Sequence, residues 1–141
     1  RSNTLPIINA QMDNLLNDVA DFTVEVVMND KNEVDFIMER DGAKCKLNAA
    51  SGFERTVASL ALRVVLGNMS MLSRPPMILL DEVLGGVAKE NYDAIKRLYD
   101  KIIPYFSYVL HITHLMDIID WHSQTITISK VNNISSIKSV L

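Results

Sequence analysis

The chain has 141 residues, enough for one hydrophobic core, and reads as a single domain over 1–141. Hydrophobic residues make up 48% and charged residues 22%, a balance that excludes wholesale disorder. The net charge of -3 excludes a global basic field, so any DNA contact must come from a local patch or a partner chain.

In chain order, Thr4, Leu5 and Pro6 form a helix start, because proline is tolerated in a first helical turn. Ile8, Met12, Leu15, Leu16 and Val19 follow at helical spacing. Alternation then takes over: Phe22, Val24, Val26 and Met28 point one way, Thr23, Glu25 and Asn29 the other. After the polar turn Asn29-Asp30-Lys31-Asn32 the alternation resumes with Val34, Phe36 and Met38, which predicts an antiparallel hairpin with one buried face. Asp41-Gly42 marks a second turn, and a short strand is expected over 44–47.

From Ser51 the period becomes helical, with Phe53, Val57, Leu60, Ala61 and Val64 on one face. Leu62 and Leu66 fall elsewhere, so burial on more than one side is expected, up to a break at Arg74-Pro75-Pro76. The short apolar run Met77-Ile78-Leu79-Leu80 reads as a buried parallel-type strand. Gly85-Gly86 gives a turn, a helix from about Ala88 turns Tyr92, Ile95, Leu98, Tyr99 and Ile102 inward, and Pro104 stops it. A second buried strand over 105–112 completes a βαβ unit. A short helix over 115–119, a strand over 125–129 and a last strand over 134–141 follow.

Cys45 is the single cysteine, so no internal disulfide forms, which fits a reducing compartment. No apolar run approaches the ~20 residues that span a bilayer, and the N-terminus lacks a secretory pattern. No membrane and a cytoplasmic location are therefore expected. The first residue is Arg1 rather than Met, as in a fragment or a processed chain.

Three constellations could carry chemistry. Asp81-Glu82 places two carboxylates at the C-terminal end of a strand, where ligands bind in open α/β sheets. An aspartate there can hold Mg²⁺, and the next residue can act as general base on water, although the pair could equally cap a helix or end a strand. Ser51-Gly52-Phe53-Glu54 has the spacing of a capping box. Gly52 fits a cap poorly and fits a close backbone approach better, since a helix N-terminus is also an anion site. His111-Ile112-Thr113-His114 places His114 near the strand end, where it could hydrogen-bond a terminal phosphate. A metal reading would recruit His111, His114, Asp117, Asp120 or His122. Otherwise His111 is a core histidine satisfied by backbone, and His122, next to Trp121, a surface-loop histidine.

The order of the three is more specific than any member. In that order the chain resembles the C-terminal half of an ATP-binding-cassette (ABC) ATPase head. Ser51-Gly52-Phe53-Glu54 matches its signature motif, Met77 to Glu82 matches Walker B with a catalytic glutamate, and Thr113-His114 matches the switch histidine. The stretch from Ser51 to Leu66, with Arg55 and Arg63, is similar to the SMC-like double-strand-break-repair ATPases: bacterial SbcC, phage recombination-endonuclease subunits and the ATPase of the Mre/Rad repair complex. Leu5-Pro6-Ile7-Ile8-Asn9 through Asp21-Phe22-Thr23-Val24 resembles the segment where those chains return from their coiled coil. There are departures: Phe53 replaces the second signature glycine, Val83-Leu84-Gly85-Gly86 follows the carboxylates in place of Pro-Thr, and Ala88 stands at the D-loop aspartate.

The resemblance implies an α/β fold, the C-terminal lobe of an ABC ATPase head of the P-loop NTPase class, with an antiparallel hairpin, a long signature helix and a βαβ unit. It implies ATP and Mg²⁺ as cofactors, with Asp81 on the metal, Glu82 on the attacking water and His114 on the γ-phosphate. Ser51 and Gly52, started by Glu54, would contact the nucleotide of the opposite head. Arg55 and Arg63 could pair with acidic groups and relay dimer closure, or be ordinary ion-pairing arginines. The implied partners are an N-terminal Walker A lobe of the same protein, a second head, a nuclease subunit, and DNA through the assembled complex. The implied setting is DNA repair or recombination, in host cytoplasm for a phage protein.

The chain contains no Gly-x-x-x-x-Gly-Lys-Ser/Thr, so it is expected to be inactive alone and an ATPase only within an intact head. The alternatives are a degenerate, non-catalytic dimerisation or interaction module, a metal-dependent hydrolase, and a transporter ATPase subunit.

Overall fold

The computed structural model describes residues 4–70, 72–73 and 76–141. Of the expected break at Arg74-Pro75-Pro76, Arg74 and Pro75 lie outside the described residues.

Helix α1 (Thr4–Leu16) turns Ile8, Met12, Leu15 and Leu16 into the core, one helical stripe. It leans on strand β1 (Thr23–Met28) through Asn9, whose carboxamide closes a two-bond clip. Its Nδ2–H donates to the Val26 carbonyl at 3.1 Å, and the Val26 N–H donates to its Oδ1 at 2.8 Å. The clip satisfies backbone groups that β1 would otherwise leave open. Strands β2 (Val34–Arg40) and β3 (Ala43–Lys46) complete a three-stranded antiparallel sheet in the order β1-β2-β3. Asp41 and Gly42 both take positive φ, 51° and 78°, the requirement of a two-residue hairpin turn.

The expected inner face of the first hairpin is present in register, with Val24 opposite Met38 and Val26 opposite Phe36. It fades toward the turn: Met28 and Val34, paired with each other, are both exposed and do not reach the core. The long helix α2 (Gly52–Met69) buries Val57, Ala58, Leu60, Ala61, Val64 and Val65. Leu62 is half-buried and Leu66 exposed, so burial on a second side is only partial.

Strand β4 (Met77–Asp81), helix α3 (Tyr92–Ile102) and strand β5 (Tyr108–Ile112) form the βαβ unit, with β4 and β5 parallel and Asp81 opposite Ile112. Helix α3 turns Ile95, Leu98, Tyr99 and Ile102 inward, as expected, while Tyr92, also expected inward, is only half-buried, and a 3-10 turn containing Pro104 follows the helix. The expectation that both strands are buried on two faces fails. Ile78 and Leu80 face the core, whereas Met77, Leu79, Leu110 and Ile112 on the other face are 46–49% exposed. An unbroken apolar run does not say how many of its faces are covered.

A 3-10 segment, Met116–Trp121, seals Ile118 into the core. Strands β6 (Ile126–Val131) and β7 (Ile134–Val140) make a separate hairpin around Asn132 and Asn133, both at positive φ. Among the described residues no helix is long and apolar enough to cross a membrane.

Candidate functional site

The start of α2 is a complete capping box. Ser51 Oγ accepts from the Glu54 N–H at 3.3 Å, and Glu54 Oε2 accepts from the Ser51 N–H at 2.6 Å. Glu54 is 5% exposed, so its charge needs more than the cap. Arg40, at the end of β2, supplies it: Nη1 lies 2.6 Å from Glu54 Oε1, and Nη2 lies 2.9 Å from Asp21 Oδ1. Burial works against the Glu54 charge, but the bonds from Ser51 and then the Arg40 guanidinium outweigh it and hold the carboxyl below its usual range. The Gly52 and Phe53 N–H groups have no partner among the described residues, so the helix start offers two open donors.

Phe53, which replaces a signature glycine, turns its ring inward. It meets Phe22 edge-on with centroids 6.2 Å apart, half-buried against the core. Gly52 has a neighbour that its sequence position did not show. A Cβ there would sit 2.3 Å from the Gly86 carbonyl oxygen, so the close approach is made by the protein's own loop. Thr56 Oγ1–H donates to the Val83 carbonyl at 3.5 Å, and Arg63 Nη1–H to the Leu79 carbonyl at 3.2 Å. Helix α2 is thereby laid along β4 and the loop leaving it. Between them runs a cleft of about 280 Å³ lined by Arg55, Ser59 and Arg63 among others.

The loop leaving β4 carries the carboxylates. Asp81 ends the strand, exposed and without a side-chain partner among the described residues. Glu82 takes φ 50°, a left-handed conformation that a non-glycine residue adopts at a cost of roughly 1–3 kcal/mol. Its N–H still donates to the Ile112 carbonyl of β5, and its own carbonyl accepts from Gly85, so the turn is held at both ends. His114, two residues past β5, places Nδ1 3.0 and 3.1 Å from the two Glu82 oxygens. A carboxylate only accepts, so Nδ1 carries the proton, and Nε2 faces away from this pair.

The other histidines do not join them. His111 lies on the inner face of β5 opposite Leu80, and its ring stands 5.2 Å from that of His122. Neither His111 nitrogen has a hydrogen-bond partner among the described residues, so the expected backbone satisfaction is not seen there. His122 is half-buried against Tyr99 rather than on a surface loop, its Nδ1–H donating to the Ile118 carbonyl at 3.1 Å. Asp117 pairs with Lys89. Among the described residues no three His, Cys, Asp or Glu side chains gather as a metal site. Arg40 and Gly86 were missed by motif reading, because both act through the fold on residues far away in sequence.

No family model matches the chain. An uncharacterised protein, R555 of Acanthamoeba polyphaga mimivirus, is 24% identical over 152 residues, covering 94% of this chain. The chain spans 11% of the length of that relative. A solved structure from work on the ATP-driven dimerisation and DNA-stimulated activation of SMC ATPases matches with a TM-score of 0.78 and 14% identity, over 98% of this chain and 85% of its own. An Smc head domain with an extended coiled coil, from Pyrococcus furiosus and bound to the C-terminal domain of ScpA, matches with a TM-score of 0.76 and 14% identity, over 96% and 35%. The SMC head domain from Thermotoga maritima matches with a TM-score of 0.67 and 22% identity, over 96% and 48%. At these identities the likeness establishes the fold. The chain has the mixed α/β fold of SMC ATPase heads, and its hairpin and βαβ unit correspond to a C-terminal lobe.

Proposed function

We propose that the chain is the C-terminal lobe of an SMC-like ATPase head, which binds and hydrolyses ATP only together with an N-terminal Walker A lobe. The observation that carries this reading is the Glu82–His114 pair, held at the mouth of two parallel strands by a left-handed turn. Glu82 is the general base that orients and deprotonates the attacking water, and the His114 Nδ1–H fixes its carboxylate. For His114 to donate to a γ-phosphate from Nε2 at the same time, the ring must carry both protons; otherwise it must release Glu82.

Asp81, a hard oxygen donor with no competing partner among the described residues, would fit a Mg²⁺ ion. When bound, that ion neutralises phosphate charge. Ser51 and the open N–H groups of Gly52 and Phe53 take the terminal phosphate of the nucleotide on a second head. The resemblance of the stretch from Ser51 to Leu66 extends the reading to DNA double-strand-break repair or recombination, with a nuclease subunit and DNA as further partners. The degenerate-module alternative draws on Phe53 and Ala88; the Phe53 ring packs edge-on against Phe22, which weakens the first ground, and Ala88 still stands for it.

The test is turnover. The chain alone should show no magnesium-dependent ATP hydrolysis. Joined to a Walker A lobe it should hydrolyse, and Glu82→Gln should preserve ATP binding while lowering turnover about 10²-fold or more. Turnover by the chain alone, or undiminished turnover in Glu82→Gln, would overturn the assignment.

A further inference from the structure

We propose that Arg40 is a positioning residue for the phosphate-contacting start of α2, an inference that rests on the head reading above. A capping-box glutamate usually lies at the surface, where water shares its charge. Glu54 is buried, and its two oxygens are divided: Oε1 faces Arg40 at 2.6 Å and Oε2 holds the Ser51 N–H at 2.6 Å. The direction of the Ser51 backbone therefore depends on where Arg40 holds Glu54.

Arg40 is itself fixed on three sides. Its second nitrogen pairs with Asp21 at 2.9 Å, and the guanidinium carbon lies 5.4 Å from the centroid of the Phe22 ring. Phe22 is the ring that Phe53 meets edge-on. One aromatic pair thus sets both the plane of Arg40 and the inward turn of the residue following Gly52. A planar fork can serve two carboxylates at once; a lysine ammonium in its place keeps the charge but loses the geometry. Without Arg40 the buried Glu54 carboxylate keeps only the cap bonds, and the remedy open to it is to rotate toward water, taking the Ser51 N–H bond with it.

Two readouts test this. Amide exchange at Ser51 in Arg40→Ala should speed up about tenfold or more, the size of losing a charge-assisted bond, while the interior amides of α2 keep their protection. In heads completed with the Walker A lobe, ATP-driven association of two heads should weaken about tenfold in Arg40→Ala, with ATP affinity of the single head unchanged. Arg40→Lys should recover part of both effects. Lys44→Ala, which removes the exposed Lys44–Glu39 pair on the same sheet, should change neither.

Glu54→Gln guards against a variant that fails to fold. With the carboxylate neutral, a further Arg40→Ala should add little. Unchanged Ser51 exchange and unchanged association in Arg40→Ala would overturn the proposal, and so would full additivity with Glu54→Gln. If wild-type heads do not associate with ATP, the head reading fails, and the Ser51 exchange still decides the role of Arg40 in holding the helix start.

Discussion

Gly52 shows how a single residue can be read correctly in kind while one of its neighbours in the fold goes unseen. Its place inside a first helical turn signals a close backbone approach, because alanine there would be worth up to about 1 kcal/mol in helix propensity. The approach is real, but it comes from the Gly86 carbonyl, at 2.3 Å from where a Cβ would stand. A carbonyl in a loop cannot swing aside as a side-chain tip does, so relief requires the loop leaving Glu82 to shift. Overpacking of that kind costs roughly 1–3 kcal/mol, which exceeds the propensity gain. Gly52→Ala is therefore expected to destabilise the chain by about 1 kcal/mol, read as a lower urea midpoint at unchanged slope. A higher midpoint would mean that the loop yields freely and that Gly52 is not needed for it. The capping partners Ser51 and Glu54 were legible because the box is a local spacing; Gly86 and Arg40 were not, because their contacts span 34 and 14 residues of sequence.

Element type was legible where periodicity is strong, as in α1, α2, α3 and the first hairpin, and so was the parallel βαβ order. Burial of each face was harder, because Met77-Ile78-Leu79-Leu80 is apolar throughout while β4 alternates exposed and buried. The same strand pair hides a titrating group. His111 faces inward beside His122, with both ring nitrogens unpartnered among the described residues. Burial first, and then the neighbouring His122, push its pKa down to about 4 against an opposing pull from Glu82. An unfolded chain protonates this histidine near its ordinary value of about 6.5. Below that pH the unfolded state holds the extra proton, so the contribution of neutral His111 is complete above about 6.5 and is lost as pH falls toward about 4. Urea midpoints measured across that window should fall with pH in the wild type and fall less steeply in His111→Leu. Parallel pH profiles for the two proteins would show that His111 titrates as it does in the unfolded chain.

At the scale of the whole molecule, the apolar surface is not scattered but registered. On β4 and β5 the outward Leu79 and Leu110 are cross-strand partners, with Met77 opposite Tyr108 beside them and Ile112 opposite Asp81. On the last hairpin Ile126 faces Val140 and Ile128 faces Ile137, each more than half exposed. Isolated exposed leucines need no explanation, but contiguous cross-strand pairs make patches of the kind that mark an interface. In the proposed head the cover would be the N-terminal Walker A lobe, and Asp81 shares the exposed face of β4 with Met77 and Leu79, so docking and completion of the nucleotide site would be one event. The chain alone is then expected to self-associate and to bind a hydrophobic dye, and co-expression with a Walker A lobe should suppress both. Leu110→Lys with Ile128→Lys should keep the chain alone monomeric by placing a charge in each patch, and should also abolish its association with the lobe. Light scattering and dye fluorescence read the first effect, and co-purification the second. A monodisperse, dye-free wild-type chain at high concentration would count against an unmet interface. A double variant that still binds the lobe would move the interface to another face.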